Sequence, residues 1–196
     1  AQDLYAQAPC AEYDALCAAV ERALPGEAEP EKTAEVLTAD GFLRTGDKGE
    51  QDADGNLRLT GRMKEIFKTS KGKYVAPAPI ENRLAVHDRI EQVCVVGEGL
   101  SAPLGLCVLS EVGRREALNG TRGALESSLR AHLEQVNGAL DKHERLVGLV
   151  LVQETWAVDN GFLTPTLKIK RNMVEGAYGS RFHEWVERSE AVLWHE

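Results

Sequence analysis

Three cations in four positions, Lys168, Lys170 and Arg171, close the stretch GFLTPTLKIKR at residues 161–171. An ammonium held out on a short loop is a compact point charge, suited to a phosphate or a carboxylate. Pro165 fixes its own φ and biases Thr164 away from the helical region, so the approach to the cations is extended or a turn. Strand-like alternation through TLKIK would place Lys168 and Lys170 on one face and Leu167 and Ile169 on the other. The same spacing also fits a solvated basic loop ahead of a helix. A second basic cluster, Lys68, Lys71 and Lys73 around Gly72, stands out in a chain of net charge −8. Upstream lies Asp47, by itself a turn carboxylate beside Gly46, then Arg62 and Lys64.

The elements that must position these residues can be read from periodicity. Asp54-Gly55 is a strong turn signal and Leu57 and Leu59 alternate with polar residues after it, which predicts strand, turn, strand over 41–62. Residues 76–86 open with prolines and continue as a helix with Ile80 and Leu84 on one side. His87 reads as a surface or helix-end histidine. Apolar runs at 93–96 and 104–109, separated by Gly97-Glu98-Gly99 and Pro103, read as buried strands, and 146–152 as a third. Leu125, Leu129, Leu133, Val136 and Leu140 form a helical core stripe. Val174, Tyr178, Phe182, Trp185 and Val186 predict an amphipathic helix over 173–194, its aromatics used in packing. Toward the N-terminus, 30–37 reads as a short helix with Pro in its first turn. Tyr13, Leu16, Cys17, Val20 and Leu24 fall on one helical stripe that Pro25-Gly26 would end. The order strand, strand, helix, strand predicts an α+β lobe, a small sheet of about three strands flanked by helices.

Composition narrows the class. With 196 residues, 28% charged and 43% hydrophobic, the chain is globular and large enough for a real core. A net charge of −8 argues against a general nucleic-acid binder. No apolar run approaches the ~20 residues of a membrane span and no secretory signal pattern opens the sequence. Four cysteines, Cys10, Cys17, Cys94 and Cys107, have neither zinc spacing nor a disulfide-dense pattern. Cys94 and Cys107 sit in strand-like runs as small core residues. A reducing, cytoplasmic setting fits this usage.

Taken in order, Thr45-Gly46-Asp47, Gly61-Arg62-Met63-Lys64-Glu65, KTSKGKYVAPAPIE at 68–81 and TPTLKIKR resemble the C-terminal part of the adenylate-forming superfamily. They are most similar to bacterial long-chain acyl-CoA synthetases, and four ordered motifs are more specific than any one. The resemblance runs from about Pro30 to Arg188. It implies the mobile C-terminal domain of that superfamily at 64–196, a junction to a missing N-terminal domain at 29–63, and an unmatched helical segment at 1–28. It implies further that Asp47 binds the ribose hydroxyls of ATP or the acyl-adenylate, and that Arg62 contacts the same nucleotide. Lys64 falls where the family has its hinge. Residues 65–75 resemble a two-stranded hairpin turning at Ser70–Lys73, whose Lys68, Lys71 and Gly72 would line the CoA channel. Lys168 matches the catalytic lysine of adenylation.

The chemistry implied is that of a long-chain fatty acid–CoA ligase: a carboxylate and ATP give acyl-adenylate and pyrophosphate, then CoA gives acyl-CoA and AMP. Its cofactors and substrates would be ATP, Mg2+, CoA and a fatty acid, with no metal held by this chain. A contact with a membrane surface is left open. The family's Gly-rich phosphate loop, adenine pocket and acyl tunnel have no counterpart here, so the chain alone is expected to be silent. Two other readings stand beside this one. One is the same lobe from an enzyme that loads a carrier protein; the other is a binding or regulatory module docking through its N-terminal helix.

Overall fold

The computed structural model describes residues 3–7, 42–62 and 65–195. The chain divides into two compact units, Ala1–Lys64 and Glu65–Glu196. In the first, β1 (Asp3–Gln7), β2 (Phe42–Gln51) and β3 (Leu57–Arg62) form an antiparallel sheet in that order. Asp52 builds the β2–β3 turn. Its carboxylate accepts from Asn56 Nδ2 at 3.0 Å and from the backbone N–H groups of Asn56 and Asp54 at 2.8 and 3.0 Å. These bonds, the Asn56 side chain's foremost, favour the ionised form and hold Asp52 below the usual carboxylate range. Within the segment 1–28, expected to be helical, residues 3–7 are strand. The stripe at 13–24 and the helix expected at 30–37 lie outside the described residues.

The second unit is built on a four-stranded sheet ordered β6 (Ile90–Val96), β7 (Leu104–Leu109), β8 (Leu149–Val152) and β9 (Val192–His195). The β6–β7 pair is antiparallel, whereas β7–β8 and β8–β9 are parallel. Helices cover both faces. Val95, Cys107, Leu109 and Leu151 face α1 (Pro77–Leu84) and α3 (Arg122–Gly138) through Ile80, Leu84, Leu125 and Leu129. Cys94, Leu106, Val108 and Val150 face α4 (Arg171–Tyr178) and α5 (Phe182–Arg188) through Val174, Tyr178 and Trp185. A sheet buried on both faces has no solvent side to mark with polar residues. This is why LGLCVL and LVLV are continuous apolar runs.

Three features depart from the sequence reading. The helix expected over 173–194 ends at Arg188, and Ser189 at φ +51° turns the chain into β9, so the sheet has a fourth strand. A further helix, α2 (Glu111–Leu118), follows β7, capped by Ser110 Oγ accepting from Gly113 N–H at 3.3 Å. Gly113 is required there, since a Cβ would stand 2.8 Å from the Arg89 carbonyl oxygen. His87 lies just past α1, as expected of a helix-end histidine. Its Nε2 is 3.0 Å from Ser128 Oγ and its ring lies 4.9 Å from that of His132. Cys94 and Cys107 are buried free thiols; burial pushes Cys94 up to about 12 and Cys107 higher still, so neither is a nucleophile.

Candidate functional site

Residues 163–169 form a tight turn rather than an alternating strand. Thr164 N–H donates to the Lys168 carbonyl and Leu167 N–H to the Thr164 carbonyl, both at 2.8 Å. Thr164 Oγ1 accepts from Lys168 N–H at 3.1 Å, and Leu163 and Ile169 face each other in an antiparallel bridge. The expected alternation fails at Leu167, which adopts φ +60° and is 71% exposed, while Ile169 packs against the aromatic side of the core. The turn wins because Pro165 opens it and the Thr164 hydroxyl closes it. Lys168 is exposed, and among the described residues its ammonium has no hydrogen-bond or ion-pair partner.

Lys170 N–H donates to the Phe162 carbonyl at 2.8 Å, and α4 begins at the next residue. That residue, Arg171, is one the sequence reading left without a role. It reaches across to β6 and α1: Nη2 donates to Glu81 Oε1 at 2.7 Å, and Nη1 to the Val95 carbonyl and to Cys94 Sγ. Glu81 Oε1 also accepts from Val95 N–H at 2.7 Å. An arginine in the first turn of a helix opposes the helix dipole, so a compensating carboxylate is the signal to look for. Glu65, Glu81, Cys94, Lys168 and Arg171 line one cleft of about 340 Å³.

The second basic cluster sits on β4 (Phe67–Lys68) and β5 (Tyr74–Val75), an antiparallel hairpin as expected. Its base is fixed by Phe67 and Val75 in the core, and by the backbone bonds Gly99 N–H to Lys68 O and Ser70 N–H to Leu100 O. A Cβ at Gly97 would stand 2.5 Å from the Phe67 ring, so glycine lets the hairpin seat. Lys71, Gly72 and Lys73 are exposed at the tip, and Lys68 Nζ lies 5.6 Å from the centre of the Tyr74 ring. Gly72 has φ +75° and a Cβ there would meet only Lys68 Cε, at an ordinary 3.8 Å, so the turn alone accounts for the glycine. Lys68, Lys71 and Gly72 do not line the Lys168 cleft.

In the first unit, Asp47 and Arg62 are register partners across β2 and β3. Residues separated by 15 positions in sequence are thus brought side by side. Asp47 is half-buried and its N–H donates to Thr45 Oγ1 at 3.2 Å, after Gly46 at φ +72°. Lys64 lies outside the described residues. Among those described, no three His, Cys, Asp or Glu side chains converge in a group that could hold a metal ion. No helix among them is long and apolar enough to cross a membrane.

Residues 64–190 match the sequence profile of the AMP-binding enzyme C-terminal domain. The chain is 36% identical over 173 residues to long-chain-fatty-acid–CoA ligase 1 of Homo sapiens, covering 80% of this chain and 24% of that protein. It is 35% identical over 161 residues to long-chain-fatty-acid–CoA ligase FadD15 of Mycobacterium tuberculosis, covering 76% and 27%. It therefore spans about a quarter of the length of these curated relatives. Among solved structures, the adenylation domain of a carboxylate reductase from Mycobacterium chelonae superposes with TM-score 0.71 at 25% identity, over 83% of this chain and 26% of that one. The corresponding domain from Segniliparus rugosus, in complex with AMP and a co-purified carboxylic acid, gives 0.69 at 26%, over 82% and 26%. With the mixed sheet, the two-stranded hairpin and the matched profile together, the chain belongs to the AMP-binding enzyme C-terminal domain family.

Proposed function

We propose that this chain is the C-terminal part of an ATP-dependent, AMP-forming long-chain fatty acid–CoA ligase, with residues 64–196 as its mobile lid. The observation that carries the reading is the ammonium of Lys168, without a partner among the described residues and exposed on a backbone-fixed turn within the matched family region. In adenylation, negative charge builds on the phosphoryl oxygens as the fatty carboxylate attacks the α-phosphate of ATP. A preorganised ammonium lowers the barrier by meeting that charge without rearranging. Asp47, an acceptor for two ribose hydroxyls, and Arg62 hold the nucleotide from the strand pair that precedes the lid. Rotation about Lys64 then withdraws Lys168 and brings in the Lys68–Lys73 hairpin, whose Lys68, Lys71 and Gly72 border the CoA arm. The sulfur of CoA attacks the acyl carbon, AMP leaves, and the thioester forms.

The missing N-terminal adenylation domain is the partner this reading requires, and ATP, CoA and a fatty acid are the substrates. The native gene product tests it. A polypeptide of several hundred residues that makes AMP only with a fatty acid, and acyl-CoA when CoA is added, is the expected outcome. A native product of about 21.5 kDa would displace the reading in favour of a standalone binding module. A second reading keeps the lid and changes the acceptor to a carrier protein's phosphopantetheine. It is favoured by the superposition on carboxylic acid reductase, one structure of which is an A-PCP didomain. Thioester formation on a carrier protein in preference to free CoA would select it.

A further inference from the structure

We infer that Arg171, held by Glu81, is a positioning residue for Lys168. The inference rests on the reading of Lys168 as the adenylation lysine. Strand β6 is an edge of the sheet, paired only with β7 among the described residues. At Val95 the outward N–H and C=O have no strand to meet, and two side chains stand in for one. Glu81 from α1 takes the N–H at 2.7 Å, and Arg171 from α4 donates to the carbonyl. The two side chains are joined to each other at 2.7 Å and are largely buried, Arg171 at 21% and Glu81 at 18% exposure. Edges left open invite pairing, and this one is closed by an ion pair.

The consequence for Lys168 is geometric. Arg171 is the first residue of α4, and only Ile169 and Lys170 separate it from Lys168. The turn is therefore held on one side by the Leu163–Ile169 bridge and the Lys170–Phe162 bond, and on the other by the guanidinium clamped to β6 and α1. Replacing a buried ion pair by apolar groups is often neutral for stability, so stability alone gives weak reason for an Arg–Glu pair here. The Nε–H of Arg171 is buried without an acceptor among the described residues, which makes the pair poorer still as a purely stabilising device. What the pair supplies is a fixed origin for the lysine. An ammonium displaced by about 1 Å from the developing charge loses on the order of a hundredfold in rate.

The test uses the complete gene product, with the two half-reactions measured separately. Arg171→Ala is expected to slow adenylation by roughly 10- to 100-fold with KM for ATP little changed, and to spare thioester formation from supplied acyl-adenylate. Hydrogen exchange should quicken at the amides of Leu167, Lys168 and Lys170 and stay at the wild-type rate at Leu106 and Leu151. Lys168→Ala combined with Arg171→Ala should be no slower than Lys168→Ala alone, since positioning matters only while the ammonium is there. Additive loss in that double variant, or exchange quickened throughout the sheet, would assign Arg171 to the fold and overturn the inference. Should Lys168→Ala leave adenylation unchanged, the reading of Lys168 fails and takes the inference with it. If Lys168→Ala is slow and Arg171→Ala is fast, only the inference fails. Should Arg171→Ala not fold, Glu81→Gln decides: it keeps an acceptor for Val95 N–H and loses the charge that anchors the guanidinium. A slowed first half-reaction supports the inference, and a wild-type rate overturns it.

Discussion

Two short turns of the second unit carry exposed lysines, and they share one closure but differ in the residue that takes the left-handed position. The 68–73 turn takes its left-handed residue from Gly72, at φ +75°, where that conformation is free. The 163–169 turn places Leu167 at φ +60°, where a side chain costs about 1–2 kcal/mol. Both are closed the same way, by a threonine hydroxyl accepting from the N–H four residues on, Thr69 from Lys73 at 3.3 Å and Thr164 from Lys168 at 3.1 Å. What differs is the seat: the first turn stands on the β4–β5 pair and the bonds to Gly99 and Leu100, the second on the bridge at 163 and 169 with the Arg171–Glu81 pair beyond it. A turn that must hold one charge at one place has to be over-determined, and strain is tolerated where surrounding contacts impose it.

The largest test of that contrast is removal of the charge itself. Lys168→Ala in the complete gene product is expected to slow adenylation by about 10²–10³-fold, the usual loss for one preorganised electrostatic contact. Thioester formation from supplied acyl-adenylate should stay nearly intact. The hairpin behaves oppositely: Lys71→Ala should leave adenylation alone and weaken only the CoA step. Equal losses in both half-reactions for either variant would erase the division of labour between the two turns.

A smaller effect is expected at the joint that would exchange them. Lys64→Pro restricts the φ of the residue about which the lid is proposed to swing. It should depress chiefly the thioester step, by roughly tenfold or about 1.4 kcal/mol of barrier. Unchanged kinetics would place the hinge elsewhere and leave the two turns without a route for alternating.

How much of this could be read in advance follows from where the information lies. Ser70-Lys71-Gly72-Lys73 was legible as a turn because a glycine announces a left-handed residue. Leu167 announces nothing; its conformation is imposed by Pro165, Thr164 and the bridge beyond. The end of α5 was hidden for the same reason, since Ser189 at φ +51° gives no glycine signal and AVLWH is too short for periodicity to choose strand over helix. Helix α2 was missed because EVGRREAL has Gly at its third position and a weak apolar stripe. The buried strands and the long α3 stripe were legible because their patterns are local. The Arg171 anchor was not, because it joins residues 81, 95 and 171, which no local window contains.

The smallest test separates the two kinds of turn by stability alone. Ala at position 72 meets no atom closer than Lys68 Cε at 3.8 Å, so Gly72→Ala measures backbone strain with little steric contribution. It should destabilise the unit by about 1 kcal/mol, read as a shift in the denaturant midpoint. Leu167→Gly relieves the left-handed strain but adds entropy to the unfolded chain, of roughly 0.5–1 kcal/mol. These terms nearly cancel, and the Leu167 side chain, exposed as it is, has little packing to lose. Its stability should therefore move by no more than about 0.5 kcal/mol, while adenylation in the complete gene product falls severalfold as the ammonium loses its fixed origin. If Leu167→Gly is instead clearly stabilising and fully active, the strain at 167 contributes nothing to holding Lys168. The two turns would then differ in sequence but not in purpose.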